Sequence, residues 1–148
     1  MKRAVVLVIV WAAAAGAQSN PAAQAGRQWR IAHEHAIVDE FVSLLSIPNI
    51  ATDRPNIQRN AELIQKMMEK RGIASQLISV SGANPVVFGE IKTPGATRTI
   101  VFYAHYDGQP LDPKEWAAPP FEPTLRTGQL EKDGQVIPLP PSGTPFDP

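Results

Sequence analysis

A layered α/β fold is what the order of hydrophobic periods predicts for this chain. Two segments with apolar residues at helical spacing come first, three short β-branched and aromatic runs follow, and a proline-dense stretch closes the sequence. Two helices followed by three strands begin a domain in which a sheet is covered on at least one face by helix.

The first helical period begins near Gln28. Ile31, His35, Val38, Val42 and Leu45 recur at three- and four-residue steps, with Phe41 and Leu44 widening the stripe. Pro48 should end this helix near Ser46, because the residue before a proline is driven out of the helical region. A second helix is expected from about Pro55, a residue suited to a first turn. Its apolar face runs through Ile57, Ala61, Ile64 and Met68, with Leu63 and Met67 beside it, and Gly72 is a natural stop. Beyond Gly72 the pattern changes to short runs at Ile73–Val80, Pro85–Ile91 and Thr99–Tyr106, separated by turns at Ser81–Asn84 and Thr93–Ala96. Thr99–Ala104 is apolar on both faces, as expected of a strand buried in the middle of a sheet. From His105 onward, 10 of the chain's 15 prolines occur. Proline lacks a backbone donor and fixes φ, so this stretch is expected as ordered loop and turn.

The N-terminus carries a different signal. Lys2 and Arg3 precede an apolar run from Ala4 to Ala15, and Ala15-Gly16-Ala17 supplies small residues for cleavage. That order marks a secretory signal peptide and a secreted or periplasmic product. The run is too short for a bilayer, which needs roughly 20 apolar residues. The expected organisation is a signal peptide over 1–17, a flexible lead-in over 18–27, and one domain over 28–148. No cysteine is present, so disulfides and a lipid anchor at the cut are excluded. Removing Lys2 and Arg3 leaves 12 basic against 14 acidic residues, a net charge of −2. Such a chain has no electrostatic footprint for nucleic acid. It also has no second apolar segment for a membrane.

The residues with the strongest chemical signal follow the buried run: Tyr103-Ala104-His105-Tyr106-Asp107-Gly108-Gln109-Pro110. In open α/β sheets, ligands bind beyond the carboxyl ends of the strands, where His105 and Asp107 stand. A neutral imidazole is a good metal ligand, and a nearby carboxylate can fix its tautomer and orientation. In extended chain, residues two apart point the same way, so Asp107 can reach the ring of His105. A bare His-x-Asp is weak, because a few histidines and aspartates produce one by chance.

The wider run Val101–Pro110, followed by Trp116, Pro119-Pro120-Phe121-Glu122-Pro123 and Gly128-Gln129-Leu130, resembles the co-catalytic zinc metallopeptidases. That family includes carboxypeptidase G, aminoacylase, succinyl-diaminopimelate desuccinylase and the carnosinase-type dipeptidases. Ser46-Ile47-Pro48 after the first helix and the run ending at Gly89-Glu90-Ile91 are similar to the family's opening, and the resemblance covers roughly residues 37–130. The His-Tyr-Asp-x-Gln-Pro form is closest to the dipeptidase branch. One departure is Gly108, where dipeptidase relatives carry Val.

The resemblance implies an α/β/α catalytic domain holding two zinc ions, with cobalt or manganese as alternatives. His105 would be a zinc ligand and Asp107 would hold its ring, while metal-activated water attacks a peptide or amide carbonyl. It further implies a short-peptide or N-acyl-amino-acid substrate, and a homodimer as one form of the whole enzyme. The family's Asp-Asp-Lys segment, Glu-Glu pair, further acidic ligand and late His are not in these 148 residues. The chain is therefore expected to be the N-terminal part of such an enzyme and inactive alone. Two other readings stand beside it: an N-acyl-amino-acid amidohydrolase with the same metals, and a non-catalytic binding module.

Other polar residues read more simply. His33 and His35 lie about 200° apart on a helix and cannot share a metal. Ser43 and Ser46 have no nucleophile-elbow context, and Met67 and Met68 belong to an amphipathic face. Gly82 and Gly95 mark turns, not a phosphate cradle. Asp112, Glu115 and Glu122 are solvated loop acids, and Trp116 and Phe121 either line a substrate opening or pin the long loop.

Overall fold

The computed structural model describes residues 20–141, 143, 144 and 146, so the expected signal peptide lies outside the described residues. These residues form a small mixed α/β protein with three α-helices and two small antiparallel sheets. The helices are α1 (Pro21–Ala32), α2 (Glu34–Leu45) and α3 (Arg54–Lys70). The strands are β1 (Ala74–Ile78), β2 (Val86–Glu90), β3 (Leu125–Arg126) and β4 (Val136–Ile137). Among the described residues, no helix is long and apolar enough to cross a membrane.

Residues 21–27, expected as a lead-in, are helical. Asn20 caps α1 by accepting a hydrogen bond from the Ala22 amide at 2.9 Å, and Pro21 occupies the first turn. The alanines and glutamines that follow are good helix formers. The single helix expected from Gln28 to Ser46 is broken at His33. Its Nδ1 lies 2.7 Å from the Trp29 carbonyl, and its ring stacks on the Trp29 indole at 4.2 Å. The His33 amide turns instead to the Arg30 carbonyl, which tightens the turn and starts a new helix. The predicted stop near Ser46 matches the end of α2, with Ser46 at the C-cap.

α3 follows the expected face closely. Asp53 caps it through the Asn56 amide at 3.3 Å, and Gly72 ends the turn after it with φ +72°. Ile57 and Ala61 are completely buried and Asn60 is 2% exposed. β1 and β2 pair in register from Ala74 opposite Glu90 to Ile78 opposite Val86. Their alternate residues Ser75, Leu77, Val87 and Gly89 are half-buried on one face, and α3 packs against both strands. On α2, Glu40 bonds Arg71 and Lys70, and these cations hold its carboxyl below the usual carboxylate range.

The third expected strand is the main correction. Residues 99–106 are not strand, and 99–105 are exposed: Ile100, Val101, Phe102 and Tyr103 are 77%, 83%, 92% and 90% exposed. No backbone–backbone hydrogen bond ties residues 97–105 to any other described residue. The reason is non-local. A strand apolar on both faces needs a neighbour on each edge and a layer on each face. β1 and β2 pair with each other, and α3 covers their shared face. The proline-rich stretch after His105 is loop carrying two short 3₁₀ turns, Pro113–Glu115 and Leu130–Lys132, and the small β3–β4 hairpin.

That hairpin depends on one glycine. A Cβ on Gly134 would lie 2.2 Å from the Gly128 carbonyl oxygen, a contact that backbone cannot relieve cheaply. Gly134→Ala is expected to destabilise the hairpin by about 1–3 kcal/mol. Hydrogen exchange should show it at Thr127, whose amide donates to the Gln135 carbonyl at 3.0 Å, and at Gln135, whose amide donates to Thr127 Oγ1 at 3.0 Å. Undiminished protection of both amides in the variant would contradict this account.

Candidate metal centre

The segment carrying His105 and Asp107 is fastened at its C-terminal end. The Gly108 amide donates to the Asn49 carbonyl at 2.6 Å, and the Ala51 amide donates to the Gly108 carbonyl at 2.9 Å. These two bonds form a one-residue parallel bridge between the α2–α3 connection and the chain after His105. Asn49 Nδ2 adds a bond to the Tyr106 carbonyl at 3.2 Å. The Tyr106 hydroxyl donates to the Pro85 carbonyl just before β2. Burial, and then the negative Asp107 next to it, push the Tyr106 phenol above its usual range. Gly108 fits this staple by its size: a Cβ there would lie 3.0 Å from Asn49 Oδ1.

His105 is 75% exposed in its side chain and Asp107 43%. His105 Nδ1 sits 2.8 Å from the Asp107 main-chain carbonyl and 3.6 Å from Asp107 Oδ1. A carbonyl can only accept, so Nδ1 carries the proton and neutral His105 leaves the Nε2 lone pair free. Asp107 thus holds the ring mainly through its backbone, with its carboxylate nearby. That is the tautomer and restraint a metal-ligating imidazole needs.

The set of donors is short, however. Among the described residues, no group of three or more His, Asp or Glu side chains could hold a metal ion. A catalytic zinc site needs three protein ligands and an open position. The residues present therefore do not by themselves fit a zinc ion, and no chemical step can be routed through one here.

His105, Asp107 and Tyr106 border a cleft of about 630 Å³ beside the staple, a volume in the range of small-molecule sites. Trp116 and Phe121 both line it, so the long loop supplies a wall. Sequence reasoning left that role open between opening and anchor. Glu122 lines the cleft too, whereas Asp112 and Glu115 do not. Sequence reasoning missed Asn49, Asn60 and Arg126, which also line the cleft. Asn60 was hidden inside a helical face, and Arg126 stood alone in the loop with no motif around it.

The remaining polar candidates are occupied elsewhere. His35 Nε2 contacts the Thr144 carbonyl and its ring tilts against Phe146 at 4.8 Å. Ser43 and Ser46 bond the Asp39 and Val42 carbonyls at 2.8 Å each, as helix hydroxyls do. Met67 and Met68 are half-buried on α3. No family model, curated protein or solved structure matches this chain.

Proposed function

We propose that this chain supplies one metal ligand, His105, to a co-catalytic zinc metallopeptidase that hydrolyses dipeptides or short peptides. The observation that carries the reading is the restrained ring of His105, with Nε2 free, beside a cleft of small-molecule size. Asp107 is the positioning residue. The remaining ligands and the general base would come from residues outside these 148, in an α/β/α layer that also covers residues 99–106. Export by the N-terminal 17 residues belongs to the same reading.

Two results test it. The purified 148-residue chain should bind zinc only weakly and show no peptide hydrolysis. NMR titration with zinc should move the His105 ring signals first, and His105→Ala should remove that response. A silent His105 ring would eliminate the ligand role, whereas stoichiometric tight zinc with hydrolysis would show that the site is complete within the chain. Reading the gene beyond codon 148 gives the second result. A frame running into an Asp-Asp-Lys segment, a Glu-Glu pair and a late His supports the peptidase. A stop codon there favours a non-catalytic binding module, the reading to which the exposed run Ile100–Tyr103 also lends support.

A further inference from the structure

A sulfur joins α3 to the β1–β2 hairpin. Gly89 on β2 has no side chain, and a Cβ there would lie 2.9 Å from Met68 Sδ, 3.6 Å from Met68 Cε and 3.1 Å from Ile73 Cγ2. The Met68 thioether therefore rests against the bare backbone of β2. The Met68 carbonyl is used as well, accepting from the Ile73 amide at 3.0 Å in the turn that leads into β1. One residue thus ties the end of α3 to both strands.

The same sulfur borders open space. Met67 and Met68 are half-buried and line a groove of about 870 Å³ between α3, β2 and residues 102–107. No cysteine is present and the third methionine is Met1, so these two hold all the side-chain sulfur of the described residues. A thioether takes oxygen from a peroxide in one step. A sulfur lone pair attacks one peroxide oxygen and the O–O bond breaks. The hydroxyl proton passes to the departing oxygen, which leaves as water or an alcohol; sulfur is oxidised and the peroxide reduced. The sulfoxide is polar where the thioether was apolar, and its oxygen needs a hydrogen-bond donor. Polar side chains of the groove are engaged elsewhere. Arg71 holds Glu40 and, at 2.9 Å, the Met67 carbonyl, while Asn84 holds the Ala51 carbonyl at 2.9 Å. Leu44, Ile64 and Val87 supply apolar wall.

We propose that Met68 is a modification site oxidised by peroxides, and that its sulfoxide releases the end of α3 from the β1–β2 hairpin. The proposal stands apart from the peptidase reading but reaches the same site. Tyr106 donates to the Pro85 carbonyl just before β2, which ties the His105 segment to the hairpin that is released.

The test treats the full 148-residue chain with hydrogen peroxide, maps oxidised residues by peptide mass spectrometry and follows amide exchange at Ile73. Met68 should gain one oxygen at a rate within about ten-fold of free methionine. The Ile73 amide should then exchange at least about ten-fold faster, while Thr127 and Gln135 in the β3–β4 hairpin keep their rates. Met68→Leu, which keeps the volume without the sulfur, should lose the response, and Met67→Leu should keep it. Met68→Gln, polar and of similar length, should show the fast exchange without peroxide. Three results would overturn the proposal: Met68 left intact while free methionine in the same tube reacts, unchanged Ile73 exchange after oxidation, or a response that persists in Met68→Leu. A matching rise at Thr127 and Gln135 would show global unfolding in place of local release and would also count against it. Should Met68→Leu fail to fold, the other two variants decide, since a response lost in Met67→Leu or slow exchange in Met68→Gln contradicts the proposal.

Discussion

The chain should self-associate through residues 99–104, and charge placed in that run should abolish the association. Four consecutive large apolar side chains, Ile100 to Tyr103, are each at least 77% exposed. The backbone around them is unpaired among the described residues, so both strand edges are open. Such a segment is a template for another strand, because pairing satisfies its backbone groups and buries its side chains together. The chain's formal net charge of zero offers no long-range repulsion against the encounter. Sedimentation velocity across a concentration series should show oligomers growing with concentration. The double substitution Val101→Lys and Tyr103→Lys should move the onset to at least ten-fold higher concentration. Phe102→Pro separates two causes, since it keeps three apolar side chains but removes a backbone donor and fixes φ. If strand pairing drives association, the proline variant should behave like the lysine pair. A proline variant that associates as the parent does would point to non-directional apolar contact. A parent that stays monomeric throughout would sink the prediction.

The same run shows where reading the sequence succeeded and where it stopped. α3 was legible because its signals are local: Pro55 in the first turn, Ile57 and Ala61 at helical spacing, and Gly72 past the end. β1 and β2 were legible for the same reason, with a glycine-containing turn between two β-branched runs. The run at 99–106 carries an equally strong local pattern, yet its burial depends on partners the pattern does not contain. Residues 21–27 erred in the other direction: their plain composition reads as lead-in, but Asn20-Pro21 is a start signal and the residues after it favour helix. At the site, the sequence pointed to His105 and Asp107 as candidates and expected the carboxylate to hold the ring. The structure assigns most of that hold to the Asp107 carbonyl at 2.8 Å. The staple from Asn49 to Gly108 joins residues 59 positions apart and has no sequence signature. Arg126 and Asn60 meet in one cleft for a similar reason, being brought together only by the fold.

Ile57→Ala should cost this protein about 2–5 kcal/mol, enough to remove its cooperative unfolding transition. Ile57 and Ala61 are the two buried apolar residues among those described, and Ile57 is by far the larger. The rest of the apolar stripe is half-exposed, with Phe41 and Leu45 at 56% and 42%. A small core of this kind leaves little reserve, so the loss at one side chain approaches the stability of the whole. Position 57 also lies one helical turn from Asn60 and Ala61, so collapse there reaches the wall of the cleft. Circular dichroism melts should show a broad, shallow transition for Ile57→Ala. Ile57→Val, which removes a single methyl group, should cost about 0.5–1.5 kcal/mol and keep a recognisable midpoint. The lysine pair at 101 and 103 is the background for both, because it separates unfolding from aggregation. If Ile57→Ala melts within a few degrees of its parent, the centre of stability lies elsewhere. The packing of α3 on the β1–β2 hairpin would then be the place to look, beginning with Leu77, Val87 and Met68.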